Sequence, residues 1–232
     1  MAPYGTSETF GATVYPTSPA NYNSAYGYQL GEAVRKPASV RALEELGKVR
    51  LSPSFCMRDF LYSEVASFYG IPNIPDDPDF AIAAGTNLCE ELLEPLIATF
   101  GPITIVSGYR SPEVNKLCNQ KRLNCASNEK NFAAHIWDRK DANGKMGATA
   151  SILIQQFAVG ADWRDIAWWI HENLPYHKLQ FFKGGAFNIG WRENPEKSVY
   201  SYIGPKGYLA RPGMNNFKGD HSSYYGRFQN YA

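Results

Sequence analysis

The sequence lacks any run of about 20 consecutive apolar residues, so no segment reads as a membrane-spanning helix. Its N-terminus, MAPYGTSETFGATVYPTSPANYNSAYGYQLG, lacks the charged start and apolar stretch of a signal peptide, and cytoplasmic synthesis without a leader is expected. Neither charge sign is in excess. Lys and Arg number 23 against 22 Asp and Glu, leaving +1, and without a positive field nucleic acid is not an expected partner. Cysteine is sparse: Cys56, Cys89, Cys118 and Cys125 are too few and too scattered for a disulfide scaffold. Reduced thiols are expected, although Cys118 and Cys125 bracket NQKRLN and leave a local disulfide or a two-thiol metal clip open.

What the chain does have is enough apolar material, 44% of 232 residues, for one sizeable core with loops or arms. Residues 1–36 are rich in Tyr, Ser, Ala, Gly and Pro with almost no charge, so they bury too little aliphatic surface to offset their own ordering and read as an extended arm. Residues 204–232, GPKGYLARPGMNNFKGDHSSYYGRFQNYA, alternate Gly and Pro with Tyr and Phe and read as a second extended arm. Between them lies a domain of residues 37–203. Aromatic arms supply contact area at low rotamer cost, which favours self-association or contacts with other assembly subunits, through rings such as Tyr22, Tyr26, Tyr28, Tyr224 and Tyr225.

Within the domain, SVRALEELGKVR and MRDFLYSEVASFYG carry apolar residues at helical steps, and DPDFAIAAGTNLCEELLEPLIATFG reads as one longer helix ending at Gly101. ITIVSG is a short β-branched run and reads as a buried strand. Ser111 followed by Pro112 starts a helix in SPEVNKLCNQ. TASILI and KLQFF read as strands flanking an Asp162-capped helix, and AFNIGW and SVYSYIG complete an antiparallel sheet. The expected class is α+β: a small antiparallel sheet with helices grouped on one side, flanked by extended aromatic-rich arms.

The segments LSPSFCMRDFLYSEVA, CEELLEPLIATFGPITIVSGYRSPEVNK and WWIHENLPYHKLQFF together resemble the zinc D-alanyl-D-alanine carboxypeptidases, of the superfamily that includes lysostaphin-type peptidases and Hedgehog domains. The resemblance spans roughly residues 50–203, with SGYRSPEVN as its most specific part. It implies a small antiparallel sheet with a metal on its concave face and peptidoglycan peptides as the substrate class. It places substrate binding at Ser107, Tyr109 and Arg110, with Arg110 holding a carbonyl or terminal carboxylate, a task suited to a bidentate, always charged group.

The family's chemistry needs metal ligands in the pattern S-x-H-x-x-G-x-A-x-D, then a carboxylate three residues before a second histidine on a late strand. Two registers are open here. Aligning GATASI puts Ser151 at the aspartate, with His135 preceding it; aligning AAHI puts His135 at the aspartate and Asn128 at the first histidine. On the late strand AFNIGW, Asn188 stands at the second histidine and Gly185 at the general base, and neither residue type can do that work. A relocated site would draw on His135 and Asp138, three residues apart, with Asp141, His171, His177 and His221 as further donors. The competing expectations are a loop hydrogen bond for His135 and a turn cap for Asp138. Trp163, Trp168 and Trp169 are expected to pack, His171 to lie at the surface, and Cys56 and Cys89 to be small core residues.

Two function classes follow. In the first, the chain is a pseudo-peptidase without catalytic residues or cofactor, which binds or assembles in a phage-like particle or a cell-wall-contacting complex. In the second, it is a zinc peptidase acting on peptidoglycan peptides with rearranged ligands.

Overall fold

The computed structural model describes residues 36–157 and 162–230. Side-chain caps start its helices where the sequence places them. Ser39 accepts from Ala42 N ahead of α1 (Val40–Lys48), Asp77 from Phe80 N ahead of α4 (Pro78–Leu88), Ser111 from Val114 N ahead of α6 (Pro112–Gln120), and Asp162 from Arg164 N ahead of α8 (Trp163–Asn173). The segment expected as one helix over 57–70 is two. Tyr62 is extended and Ser63 caps a fresh start, giving α2 (Arg58–Leu61) and α3 (Glu64–Tyr69). The long helix does run to Gly101, but a π turn at Cys89–Leu93 separates α4 from α5 (Glu94–Phe100). Pro95 has no N–H to donate and its ring crowds the preceding turn, and the wider turn accommodates both.

The fold is α+β, with a six-stranded, mostly antiparallel sheet in the order β1-β2-β4-β3-β5-β6. Its strands are β1 (Ile103–Ser107), β2 (Gly147–Ile154), β3 (Lys178–Phe181), β4 (Phe187–Arg192), β5 (Ser198–Ser201) and β6 (Gly207–Ala210). Only the β3–β5 pair is parallel. One face is apolar: Ile152 pairs with Phe187, Ala150 with Ile189, Leu179 with Ile189 and with Val199, and all are buried. α4 packs against β2 and β4 on this sheet. The strands alternate, so the residues between these positions share the opposite face, which is polar and only partly covered.

Residues 204–230 differ from the extended arm expected for 204–232. β6 adds to the sheet edge against β5, and the chain then returns over α8 into α9 (Ser222–Tyr225). There the His221 ring stacks on Trp168 with centroids 3.7 Å apart and planes 4° from parallel. Glu172 accepts from both His221 N and Nδ1, each at 2.7 Å, and from Tyr225 Oη. Phe228 is buried against Phe100 and Phe157. Gly and Pro interrupt regular structure here without preventing docking, because the partner rings sit on the domain itself. Apart from Lys36, the N-terminal arm lies outside the described residues, including Tyr22, Tyr26 and Tyr28.

Cys118 and Cys125 form a disulfide with Cα atoms 5.6 Å apart, correcting the expectation of reduced thiols. α6 ends at Gln120, and left-handed Arg122 and Asn124 turn the chain back on it ahead of the short α7 (Asn128–Asn131). His171 is buried rather than at the surface, accepting at Nδ1 from Tyr176 Oη (2.6 Å) and donating from Nε2 to Phe217 O (2.9 Å). Cys89 is a core residue as expected, whereas Cys56 is half-buried. The tryptophans of α8 pack: Trp163 meets Phe181 and Trp169 meets Phe100.

Candidate functional site

Arg110 sits just beyond the end of β1, in a segment whose backbone is tied down residue by residue. Tyr109 N donates to Phe60 O at 2.9 Å, Arg110 N to His135 O at 2.8 Å, and Ser111 N to Asn73 Oδ1 at 2.7 Å. The Asn73 amide also donates to Leu61 O and Tyr109 O, both at 2.9 Å, so one buried side chain clamps three backbone positions. Gly108 permits the close approach of this segment to α2, since a Cβ there would meet Phe60 Cβ at 2.7 Å and Cα at 2.9 Å. The backbone carrying the guanidinium is therefore held in place by the protein itself.

The guanidinium itself has weak partners. Nη2 donates to Ser107 Oγ and Nη1 to the disulfide sulfur of Cys125, each at 3.2 Å. Among the described residues, no carboxylate comes within salt-bridge distance of it. Burial lowers its pKa, and only the more distant charge of Glu64 opposes this. With five N–H donors and only a hydroxyl and a sulfur as protein acceptors, this half-buried guanidinium keeps donors that the described residues do not engage.

His135 lies behind it. Its Nδ1 is 2.9 Å from Gly108 O, and because a carbonyl only accepts, Nδ1 carries the proton and Nε2 is left as an acceptor. Burial, then the neighbouring Arg110 charge, push the imidazole pKa down to about 3, so the ring is neutral at ordinary pH. The loop hydrogen bond is thus how the structure uses His135. Asp138, also buried, accepts from Asp76 N (2.8 Å), Asp77 N (3.4 Å) and Arg139 Nη1 (3.3 Å), capping the turn before α4. Its partners are not those of His135. Tyr109 is fully buried, edge-on to Trp137, and its phenol pKa is raised by burial and then by the Asp138 charge. Its side chain supports the loop from within; it is Ser107 and Arg110 that stand at the rim.

Across the open face, strand pairing sets one residue from each strand side by side. Ser107 pairs with Ser151, Ser151 with Asn188, Asn188 with Gln180, Gln180 with Tyr200, and Tyr200 with Tyr208. Ser107 joins this row because a bulge between Ile105 and Ser107 shifts the register by one. Asn188 Nδ2 donates to Gln180 Oε1 at 3.2 Å. Of the two registers open in the sequence, it is the one through GATASI that brings Ser151 beside Asn188; His135 is on the loop beyond. Gly185 lies in the β3–β4 turn with φ 86°.

The donor set at this spot is two serine hydroxyls and two carboxamides beside a guanidinium. Hydroxyls and amides are poor zinc ligands, and the fixed cation repels a second one, so the residues do not fit a zinc ion. Among the described residues no three His, Cys, Asp or Glu side chains converge, and Asp141, His171, His177 and His221 are not brought to His135. Asp141 instead pairs with Arg192 at 2.7 Å.

Sequence reasoning missed Asn73, Cys125 as a partner of Arg110, and the extension of the row to Gln180, Tyr200 and Tyr208. Asn73 had a faint signal, lying between proline-bearing dipeptides in IPNIP, where a buried polar clamp is unremarkable by pattern alone. Among the described residues no helix is long and apolar enough to cross a membrane. Comparisons of the chain with family models, with curated proteins and with solved structures find no match.

Proposed function

We propose that this chain is a catalytically degenerate peptidase-like domain that binds peptides ending in a free carboxylate, of the peptidoglycan class, on its open sheet face. The observation that carries the reading is the half-buried Arg110 guanidinium, fixed through its backbone and, among the described residues, given no carboxylate of its own. A ligand carboxylate approaching Ser107 takes up the remaining N–H donors in a charge-assisted pair, and the side-chain amides of Asn188 and Gln180 offer hydrogen bonds to the peptide that follows. No nucleophile, metal-bound water or general base is assigned in this reading. In the GATASI register Ser151, Asn188 and Gly185 stand where the resemblance would require zinc ligands and base, and none supports the chemistry.

Residues 1–36 complete the proposal as an intersubunit arm in a phage-like particle or a cell-wall-contacting assembly, supported by their tyrosines and near-absence of charge. Residues 204–230 are not assigned that role, because they dock on their own domain through β6, His221 and Phe228.

The test is equilibrium binding of an Nα-acylated peptide ending in D-alanyl-D-alanine, as the free acid and as the C-terminal amide. The free acid binds at least about tenfold more tightly, a gap of about 1.4 kcal/mol, and Arg110→Met abolishes the difference. Equal affinity of acid and amide, or no binding of either, overturns the reading.

A further inference from the structure

The row on the open face does not end where a short peptide would. Five inter-strand steps separate Ser107 from Tyr208, a span of about 24 Å at about 4.8 Å per step. A D-alanyl-D-alanine end extends only about 7 Å, and a five-residue peptide about 17 Å, at about 3.4 Å per residue. The far third of the row changes character. Phe182 and Tyr202 stack with centroids 5.2 Å apart and planes 9° from parallel, Tyr202 meets Tyr200 at 4.9 Å, and Tyr200 meets Tyr208 at 5.0 Å. These four rings form a continuous strip beside the amide pair Asn188–Gln180, and the Arg211 guanidinium lies over Tyr208 at 4.7 Å. Tyr202 and Tyr208 remain 40% and 46% exposed.

We infer that this aromatic strip is a saccharide subsite, and that the open face binds a glycopeptide lengthwise, its peptide carboxylate at Arg110 and a pyranose ring on Tyr202 and Tyr208. The inference rests on the proposed peptide site at Arg110 for its orientation.

The chemistry favours a sugar over a second protein. The C–H face of a pyranose lies flat on an aromatic ring while its hydroxyl and acetamido groups need hydrogen-bond partners at the ring's edge. Here the strip is flanked by tyrosine hydroxyls, two carboxamides and a guanidinium. None of the six residues of the row is acidic, and Lys178, facing the same side next to Ser198, adds a positive charge suited to carboxylates along the peptide. The length left beyond a five-residue peptide is about that of one sugar ring. Where one ligand reaches both ends, the second contact becomes intramolecular and raises affinity without altering either subsite.

The experiment is calorimetric titration of the full chain with three probes. They are a stem pentapeptide ending in D-alanyl-D-alanine, the same pentapeptide carried on an N-acetylglucosaminyl-N-acetylmuramyl disaccharide, and tri-N-acetylchitotriose. The disaccharide-pentapeptide binds at least about tenfold more tightly than the pentapeptide alone. Tyr202→Ala and Tyr208→Ala, both at exposed positions, remove that gain and leave pentapeptide affinity unchanged. Far-ultraviolet circular dichroism and melting temperature establish that both variants fold. A disaccharide that adds nothing, or a gain that survives both substitutions, overturns the saccharide subsite while leaving the Arg110 site standing. Chitotriose binding that is lost in Tyr202→Ala, with no pentapeptide binding, upholds the subsite and removes the peptide site. If none of the probes binds, both fall.

Discussion

Replacing Arg110 by Met separates a side chain kept for a ligand from one kept for the fold. In the structure the Arg110 side chain is half-buried, its pKa is lowered by that burial, and its partners are Ser107 Oγ and Cys125 Sγ at 3.2 Å each. Neither acceptor is charged, and sulfur in a disulfide is a weak one. Methionine keeps most of the unbranched stem and removes the charge. Ser107, only half-buried, can turn its hydroxyl to water, so the loss of that hydrogen bond costs little. The relief of desolvation is larger. Buried ion pairs replaced by apolar groups of similar volume leave proteins unchanged or stabilise them by about 1–4 kcal/mol, and with a single, half-buried cation the lower half of that range applies. We expect Arg110→Met to raise stability by about 2 kcal/mol, or about 4–8 °C in melting temperature for a domain of this size, while peptide binding is lost. Urea denaturation followed by tryptophan fluorescence reads the first quantity and calorimetry the second. If Arg110→Met is instead destabilised by more than about 1 kcal/mol, the guanidinium is a structural hub and the argument that it awaits an anion fails.

Three further predictions follow from particular contacts. His135 is held neutral down to about 3 while in the unfolded chain it titrates near 6.5, so the unfolded state binds the extra proton first and stability falls as pH drops from about 6.5 toward 3, by about 1.4 kcal/mol per unit. His135→Gln removes that share of the slope, which denaturation at pH 7.5, 6 and 5 measures; parallel profiles of variant and parent would contradict the assignment. Reducing Cys118–Cys125, or replacing both by Ser, lowers stability by about 2.5 kcal/mol from the freed loop alone, and an unchanged denaturation midpoint with and without reductant speaks against the bond. Truncation after Gly213 removes the His221 stack on Trp168 and the Phe228 packing on Phe100, and lowers the melting temperature by about 5 °C or more; an unaltered melt means that these residues do not stabilise the domain.

Much of the scaffold was legible because its signals are local. Ser111-Pro112 and Asp162 cap helices where they stand, and SGYRSPEVN marks the segment that presents Arg110; β-branched ITIVS is a strand, but at the sheet edge with no buried residue rather than the buried strand expected, because it has a neighbour on one side alone. Long-range pairings were not legible. The polar row depends on β3 lying between β4 and β5 and on a bulge in β1, neither of which leaves a mark in strand composition. Asn73 acts on Tyr109 from 36 residues away. Cysteine spacing left a local Cys118–Cys125 disulfide open without choosing it over reduced thiols, and a Gly- and Pro-rich C-terminus concealed the docking of His221 and Phe228, because composition reports what a segment cannot form alone and not which surface awaits it. His171 looked peripheral near the end of α8 until the returning chain supplied Phe217 O.

The most direct measurement follows D-alanine release from an acylated D-alanyl-D-alanine peptide by the full chain, with chelator and again with added zinc, while monitoring the bound peptide. The account predicts a stably bound peptide and no D-alanine in either condition. Zinc-dependent release that disappears in His135→Ala would contradict it, and would make the chain a peptidase with rearranged ligands.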